Sequence, residues 1–310
     1  MGRPGMNVPN FFIYGCERTG TTLLCALLSE HPSVYVLNDS HLFAEFNRVK
    51  TPQVVLAARK GLAWAVGTPR LVAREEKSHL PPADSPVLMD EVRSYYRGLV
   101  ARWMRGDMWR LEYVRRIDPP ADIAKSHGGS LTFHSMFESL YLVFVPPEHA
   151  AKDVLGEKTP RHSYLSAWIR DNYPEAKHIT LIRSPVTTVA SLYKRHARNL
   201  RRAVNLCLSY YLEALNVVGD EDEDLIVSYE DVIQNTQETL NRIFEYLGVA
   251  QATIGTTFSY NARRHYIGTA IDPQSNRNLE SVLTARQKDS VVDKCRVICE
   301  RFYPDLLVRT

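Results

Sequence analysis

The chain lacks long apolar runs, a strong excess of either charge and a cysteine framework. No stretch approaches the roughly 18 apolar residues that a membrane-spanning helix needs, and the first residues have no apolar segment of the kind found in secretory signals. The net charge is only +3 over 310 residues, and neither an RNA-binding signature nor zinc-finger spacing occurs. We therefore expect neither a membrane nor a nucleic acid among the partners.

Cysteine is scarce, and its spacing does not suggest disulfides. The sequence has five cysteines, of which Cys295 and Cys299 lie one helical turn apart, where a disulfide is geometrically poor. We expect buried free thiols, and hence a protein of the reducing cytoplasmic compartment.

A glycine-containing loop follows the first apolar run. Gly15 and Gly20 bracket it, the hydroxyls of Thr21 and Thr22 follow, and an amphipathic helix comes next. This order directs backbone N–H groups and a helix N-terminus to one point, which makes an anion site. The glycine spacing fits the start of a Walker A loop, but Thr21 stands where that motif has lysine, and the cation is Arg18 inside the loop. Such a loop suits a single phosphate better than a triphosphate.

A second anion site is predicted near the middle of the chain. Arg183 ends an apolar strand, Pro185 opens a helix, and Ser191 and Arg195 lie one turn apart on that helix. Three donors therefore converge near the carboxyl end of the strand, and arginine is well suited to phosphate. An ordinary surface helix that carries arginines is the alternative.

Short β-rich runs alternate with helical stretches along the chain. We predict the following strands: Phe11–Tyr14, Val34–Leu37, Val154–Glu157, Lys177–Ile182 and Leu225–Ser228. We predict the following helices: Thr21–Ser29, Ser163–Asn172, Thr187–Arg198 and Thr236–Leu247. The alternation predicts an α/β fold with a central parallel sheet of the P-loop type, flanked by helices.

The long segment between the second and third strands has helical periodicity. We expect residues of about 41–150 to form a helical insertion that acts as a lid and as a wall of the acceptor site; a purely structural cover is the alternative. The whole chain, residues 1–310, is expected to be a single domain.

Together, the two anion sites resemble those of the sulfotransferase superfamily that uses 3′-phosphoadenylyl sulfate (PAPS). The first loop resembles its 5′-phosphosulfate loop, and Arg183 with Ser191 resembles its 3′-phosphate motif, with the same separation of eight residues. The segment that begins at Tyr229 resembles the family's R-Y-E-D-L segment, with Ser228 in place of the usual arginine. The resemblance covers residues 10 to about 250 and is closest to tyrosylprotein, Golgi-type and bacterial sulfotransferases.

The resemblance implies an enzyme that moves a sulfuryl group from PAPS to a hydroxyl or amine by in-line displacement. The other product is 3′-phosphoadenosine 5′-phosphate (PAP), and no metal is expected. The acceptor is expected to be a small molecule, a sugar or a natural product. The residues expected to bind the donor are Arg18, Thr19, Gly20, Thr21, Thr22, Arg183, Ser191, Arg195 and Tyr229, with Arg263 and Arg264 in a late loop that closes over it.

The resemblance also implies catalytic residues. Arg18 and Lys158 would stabilise the charge that develops on the sulfuryl and bridging oxygens. Asp39 matches the general base of tyrosylprotein sulfotransferases, and His41 and His162 are the alternative bases. Asp39 as a helix N-cap and Lys158 as an exposed cation at a strand end are the structural alternatives.

Two other functions are open at this stage. A P-loop kinase is opposed by the missing lysine at position 21, and a non-catalytic nucleotide-binding module is opposed by the catalytic set above. No feature of the sequence identifies the acceptor or the oligomeric state. Aromatic residues in the insertion suit a medium-sized organic acceptor, although core packing is the alternative reading for them: they are Trp64, Tyr95, Tyr96, Trp103 and Trp109.

Overall fold

The structure, a computed structural model, describes residues 8–43, 84–104, 131–195, 198–215, 224–261, 265–272 and 274–308. For residues 100–104, 214–215, 259–261 and 265–269 it describes the backbone alone. Trp103 is therefore described without its side chain, and Trp64 and Trp109 lie outside the described residues.

A five-stranded parallel sheet forms the centre of the structure, with the strand order β2-β3-β1-β4-β5. Its strands are β1 (Phe11–Tyr14), β2 (Val34–Asn38), β3 (Val154–Lys158), β4 (Lys177–Ile182) and β5 (Asp224–Ser228). A separate antiparallel hairpin consists of β6 (Thr257–Asn261) and β7 (His265–Ala270).

Helices connect and cover the strands. Those that precede β4 are α1 (Thr21–Ser29), α2 (Met89–Met104), α3 (Phe133–Phe144) and α4 (Ser166–Asn172). Those that follow β4 are α5 (Pro185–Arg195), α6 (Leu200–Leu215), α7 (Tyr229–Gln234), α8 (Thr236–Leu247), α9 (Ser275–Glu280), α10 (Ala285–Lys294) and α11 (Arg296–Phe302). Short 3₁₀ helices lie at Pro147–His149, Pro160–Leu165 and Pro304–Leu306.

The central strand β1 is buried on both faces, as expected for a parallel sheet covered by helices on each side. All four of its side chains are buried. Phe12 and Tyr14 pack with the aromatic side chains of α3, whereas Phe11 and Ile13 pack with the leucines of α1 and with α8. A third apolar cluster, which joins α5, α6, α10 and α11, includes Cys16.

The register of the sheet brings the carboxyl ends of the strands to one edge. Ile13 aligns with both Lys158 and Ile179, and Asn38 aligns with Lys158. The loops that follow β1, β2, β3 and β4 therefore emerge side by side, where ligands of such sheets bind.

The predicted α/β fold is confirmed, and the bounds of β1, β4, α1 and α8 agree with the prediction. The helix after β4 differs, because it begins at Pro185 and ends at Arg195 rather than at Arg198. Arg198 has a left-handed backbone with φ of 57°, which the helix cannot include. The helix predicted over Ser163–Asn172 is divided into a 3₁₀ turn and α4.

Two helices of the segment between β2 and β3 are described, namely α2 and α3. The role of this insertion as a lid and the single-domain organisation stay predictions. In the part of the chain that the structure describes, no helix combines the length and the hydropathy needed to cross a membrane.

Candidate active site

The loop between β1 and α1 is a tight turn that ends in a bare helix N-terminus. The backbone N–H and the hydroxyl of Thr19 both donate to the carbonyl of Cys16, at 3.2 and 2.7 Å. Gly20 is the N-cap of α1 in a left-handed conformation, with φ of 99°. It supplies no side-chain cap, and the first turn of α1 has no acidic residue. The first N–H groups of α1 are therefore suited to an anion.

Arg18 joins the two segments that the sequence predicts as anion sites. Its side chain is exposed, and its Nε donates to the hydroxyl of Ser191 on α5 at 3.0 Å. Its backbone carbonyl accepts a hydrogen bond from Nη1 of Arg183 at 2.9 Å. Residues more than 160 positions apart along the chain thus meet at one point.

Arg183 is a buried cation whose guanidinium group contacts Asn276, the carbonyl of Arg18 and the ring of Tyr229. Its Nε and Nη2 both donate to the side-chain oxygen of Asn276, at 3.0 and 2.5 Å, and its guanidinium carbon lies 4.0 Å from the centre of the Tyr229 ring. Burial lowers the pKa of Arg183 from its usual value. Arginine has five N–H donors, and two of those on Arg183 have no acceptor among the described residues.

Tyr229 fills the space between the first loop and Arg183. Its ring lies so close to Gly20 that a Cβ atom there would be 2.3 Å from Cδ2 of the ring. Its hydroxyl lies 2.7 Å from the hydroxyl of Ser275 on α9. Ser228, where the family has arginine, caps α7 by accepting the N–H of Asp231 at 3.0 Å. This departure therefore has a structural role in the chain.

Lys158 and Asp39 form an ion pair at the ends of β3 and β2. Nζ of Lys158 lies 2.9 Å from Oδ1 of Asp39, and the Lys158 side chain is 1% exposed. The N–H of Asp39 also donates to the carbonyl of Lys158 at 2.6 Å. The alternative in which Lys158 is an exposed cation is therefore wrong. The predicted base and the predicted catalytic cation are neighbours, and Asp39 retains 37% exposure.

A buried carboxylate that the sequence analysis did not single out lies beside this pair. Glu157 accepts hydrogen bonds from Ser40 at 2.5 Å, from Thr159 at 2.8 Å and from Nδ1 of His162 at 2.6 Å. Glu157 and His162 are both fully buried. The sequence signal that could have found this cluster is an acidic residue directly after the apolar start of a predicted strand and directly before Lys158.

The remaining predicted residues differ in placement. His41 is half-buried, and its N–H donates to Thr159 at 3.0 Å. Thr21 is buried and Thr22 half-buried at the start of α1, and Arg195 is exposed on α5. Arg263 and Arg264 lie outside the described residues. Within the described ranges, no three His, Cys, Asp or Glu side chains are arranged to hold a metal ion.

A cavity of about 560 Å³ adjoins the Arg183 side of the site. Its walls include Ser184, Glu230, Asn276 and Tyr303. Asp39 and Lys158 do not line it. The cavity therefore borders the second anion segment rather than the predicted base.

Comparison with known proteins agrees with the resemblance seen in the sequence. A family model described as "Sulfotransferase family" matches residues 9–253. The chain is 23% identical over 316 residues to nodulation protein NoeE of Sinorhizobium fredii (strain NBRC 101917 / NGR234), and the alignment covers 91% of this chain. It covers only 62% of NoeE, so the chain spans less than two thirds of that relative's length.

Two solved structures are similar in fold. The sulfotransferase domain from the Synechococcus PCC 7002 olefin synthase superposes with a TM-score of 0.52 at 19% identity, covering 96% of this chain and 98% of that domain. The sulfotransferase domain from the curacin biosynthetic pathway superposes with a TM-score of 0.50 at 15% identity, covering 94% and 99%. At these identities the structural similarity concerns the fold alone.

Proposed function

The chain belongs to the sulfotransferase family, and we propose that it moves a sulfuryl group from PAPS to a hydroxyl or amine of a small-molecule, sugar or natural-product acceptor. The observation that carries this proposal is the double contact of Arg18. Its side chain bonds to Ser191, and its carbonyl bonds to Arg183. The first loop and the second anion segment are therefore in direct contact, which supports one site for a nucleotide with two separate phosphate groups.

The strand order supports a site in which the reacting group and the 3′-phosphate bind on opposite sides of β1. β1 and the first loop lie in the centre, β3 with Lys158 lies on one side, and β4 with Arg183 lies on the other. Neighbouring strands are about 4.8 Å apart, so β3 and β4 are separated by about 10 Å. This separation is on the scale of a nucleotide whose reacting group and 3′-phosphate point to opposite sides of the loop.

The chain's own residues supply binding and charge. The first N–H groups of α1, with Thr21 and Thr22, would hold the 5′-phosphate. Arg183 and Ser191 would hold the 3′-phosphate, since Arg183 retains two unused N–H donors and charge-assisted bonds to phosphate are strong. The same proposal includes further contacts to PAPS, which come from Thr19, Gly20, Arg195, Tyr229, Arg263 and Arg264.

Bound PAPS supplies a sulfuryl group attached to a good leaving group, the 5′-phosphate of PAP. Lys158 and Arg18 would stabilise the negative charge that develops during transfer. Asp39 would take the proton of the acceptor, for which its partial exposure at the end of β2 is suited. The ion pair fixes Asp39 beside Lys158, so the proton acceptor and the cation act at the same place.

No metal enters this proposal. A reducing cytoplasmic location belongs to it, and the free, buried state of all five cysteines supports that location.

The test is the shift in melting temperature with PAP, compared with ATP plus Mg²⁺ at equal concentrations. PAP at about 100 times its dissociation constant should stabilise the chain by about 2.7 kcal/mol, and ATP plus Mg²⁺ should do much less. Arg18→Ala and Arg183→Ala should each weaken PAP binding at least tenfold. Arg296→Ala, on an exposed part of α11, is the matched control and should leave the affinity unchanged.

Four outcomes would contradict parts of the proposal. A response to ATP plus Mg²⁺ alone would assign the chain to the kinases. Unchanged PAP affinity in both arginine variants would refute the two-phosphate site. PAP binding without transfer from PAPS to any acceptor or to water would indicate a non-catalytic module. With turnover established, Asp39→Asn should abolish transfer and spare PAP binding; full activity would exclude Asp39 as the base.

A further inference from the structure

The segment that carries Asp39 has a strained backbone. Asp39 and His41 have φ of 52° and 58°, a left-handed conformation that is uncommon for residues other than glycine, although Asp and His adopt it more often than most. Such a conformation persists only where the surrounding contacts determine it. The segment of residues 39–42 must therefore be held by something outside itself.

The end of β3 provides the contacts that hold this segment. The N–H of Asp39 donates to the carbonyl of Lys158 at 2.6 Å, and the N–H of His41 donates to the hydroxyl of Thr159 at 3.0 Å. The hydroxyl of Ser40 donates to Glu157 at 2.5 Å and also accepts the N–H of Leu42 at 3.2 Å. Three consecutive residues of β3 and its exit thus each bind the segment.

Glu157 lies at the centre of these contacts. The Thr159 hydroxyl that receives His41 donates onward to Oε1 of Glu157, which also receives Ser40. The other oxygen, Oε2, receives Nδ1 of His162 at 2.6 Å. A fully buried carboxylate is costly unless its oxygens accept hydrogen bonds, and all three donors here are themselves buried. The carboxylate therefore fixes the orientation of each donor.

We propose that Glu157 is a positioning residue for sulfuryl transfer, which holds the segment of residues 39–42 so that Asp39 stays paired with Lys158. Glu157 and Lys158 are consecutive on a strand, so their side chains lie on opposite sides of it. On one side of the strand Lys158 pairs with Asp39. On the other side Glu157 accepts the hydrogen bonds of Ser40 and Thr159. The inference rests on the proposed function for the role of Asp39, but the placement of the segment is testable without it.

Two variants remove hydrogen bonds between the segment of residues 39–42 and the end of β3, each in a different way. Glu157→Met keeps the approximate length of the side chain and removes both carboxylate oxygens, and with them all three hydrogen bonds. Thr159→Val is isosteric, removes the acceptor of the His41 N–H and leaves the buried carboxylate in place. Glu157→Gln is the conservative variant, because its amide oxygen still accepts from Ser40 and Thr159. Thr180→Val is the matched control, since Thr180 is also buried and its hydroxyl has no hydrogen-bond partner among the described residues.

The first measurement is amide hydrogen exchange, followed by mass spectrometry of peptides that cover residues 39–43 and α1. Glu157→Met and Thr159→Val should exchange at least tenfold faster in residues 39–43 and remain unchanged in α1. Glu157→Gln should retain most of the protection, and Thr180→Val all of it. Exchange in Thr159→Val equal to that in Thr180→Val would overturn the proposal, even where Glu157→Met fails to fold.

The second measurement is the release of PAP from PAPS with water as the acceptor, together with PAP affinity by calorimetry. The two variants should release PAP about a hundredfold more slowly, since small misplacements of catalytic groups have effects of this size, while PAP affinity stays within about twofold. Faster exchange with an unchanged release rate would overturn the positioning role. A wild-type chain that does not bind PAP would refute the proposed function, and the exchange comparison would still decide whether Glu157 holds the segment.

Discussion

Replacing Gly20 with alanine tests the packing that joins the first loop to the second anion segment. A Cβ atom at position 20 would lie 2.3 and 2.6 Å from two atoms of the Tyr229 ring, a distance at which one of them must move. The ring cannot move without loss, because it packs against the Arg183 guanidinium at 4.0 Å and its hydroxyl pairs with Ser275. A single methyl group should therefore affect both parts of the site.

The expected cost has two sources. The backbone of Gly20 is left-handed, with φ of 99°, and an L-residue in that region costs about 1–2 kcal/mol. Overpacking against an ordered ring costs about 1–3 kcal/mol. The free energy of unfolding should thus fall by about 2–5 kcal/mol, which for a chain of 310 residues corresponds to a decrease in Tm of roughly 3–8 °C. Loss of the arginine–ring contact should weaken PAP binding about five- to thirtyfold.

Thermal unfolding and calorimetry with PAP measure the two effects, with Gly255→Ala as the control. At Gly255 a Cβ atom would come no closer than 3.7 Å to its neighbours, and the backbone is not left-handed. That variant should melt within about 1 °C of the wild type and bind PAP equally well. If Gly20→Ala behaves like Gly255→Ala, the close contact between Gly20 and Tyr229 does not exist and the argument is refuted.

Three further predictions follow from individual contacts. Ser191→Ala removes the acceptor of Arg18 Nε and should weaken PAP binding about five- to tenfold in calorimetry; unchanged affinity would contradict a shared site. All five cysteines are buried free thiols, so the native chain should not react with a thiol reagent at pH 8, whereas the denatured chain should titrate five; a fast native phase would contradict this. Burial raises the pKa of Cys25 from 9.0 to about 12, so its contribution to stability is complete below pH 9 and falls by about 1.4 kcal/mol per pH unit above it. Urea unfolding at pH 8 and 10 should show a smaller loss in Cys25→Ala than in the wild type.

The sequence was sufficient for the elements that local patterns determine. β1 has the same bounds in prediction and structure, because a short apolar run ends at a glycine and a helix with a clear apolar face follows. Arg183 was located for a similar reason, since it directly follows a buried strand. Such signals lie within about ten residues of the position that they predict.

The contacts that assemble the site are of a different kind. Arg183 is oriented by Asn276, 93 residues further along the chain, and no local periodicity relates the two. β3 pairs with β1 although more than 100 residues separate them. Glu157 was missed because an acidic residue in a strand normally indicates a side chain that faces solvent. Only the structure shows that this side chain of β3 is buried. Ser228 likewise gains its role as a helix cap from the helix that follows it.

On each side of the site, one carboxylate accepts three hydrogen bonds from groups beside a predicted ligand-binding cation. On the Arg183 side, Oε1 of Glu230 accepts the N–H of Ser184 at 3.1 Å and the amide of Asn276 at 3.0 Å, and Oε2 accepts the hydroxyl of Tyr303 at 3.1 Å. On the Lys158 side, Glu157 accepts three hydrogen bonds in the same way.

Each carboxylate thus organises groups that adjoin a predicted ligand-binding cation. A site for an anionic nucleotide needs cations in fixed positions more than it needs a large net charge, because preorganised charge requires no rearrangement when the ligand binds. The buried Glu157 and the half-buried Glu230 supply that order through their hydrogen bonds. Loss of either one should therefore disturb its own side of the site: Glu230→Met should weaken PAP binding and spare the exchange of residues 39–43, and Glu157→Met should do the reverse. Equal effects of both variants on both readouts would show that the site is held as a single unit instead.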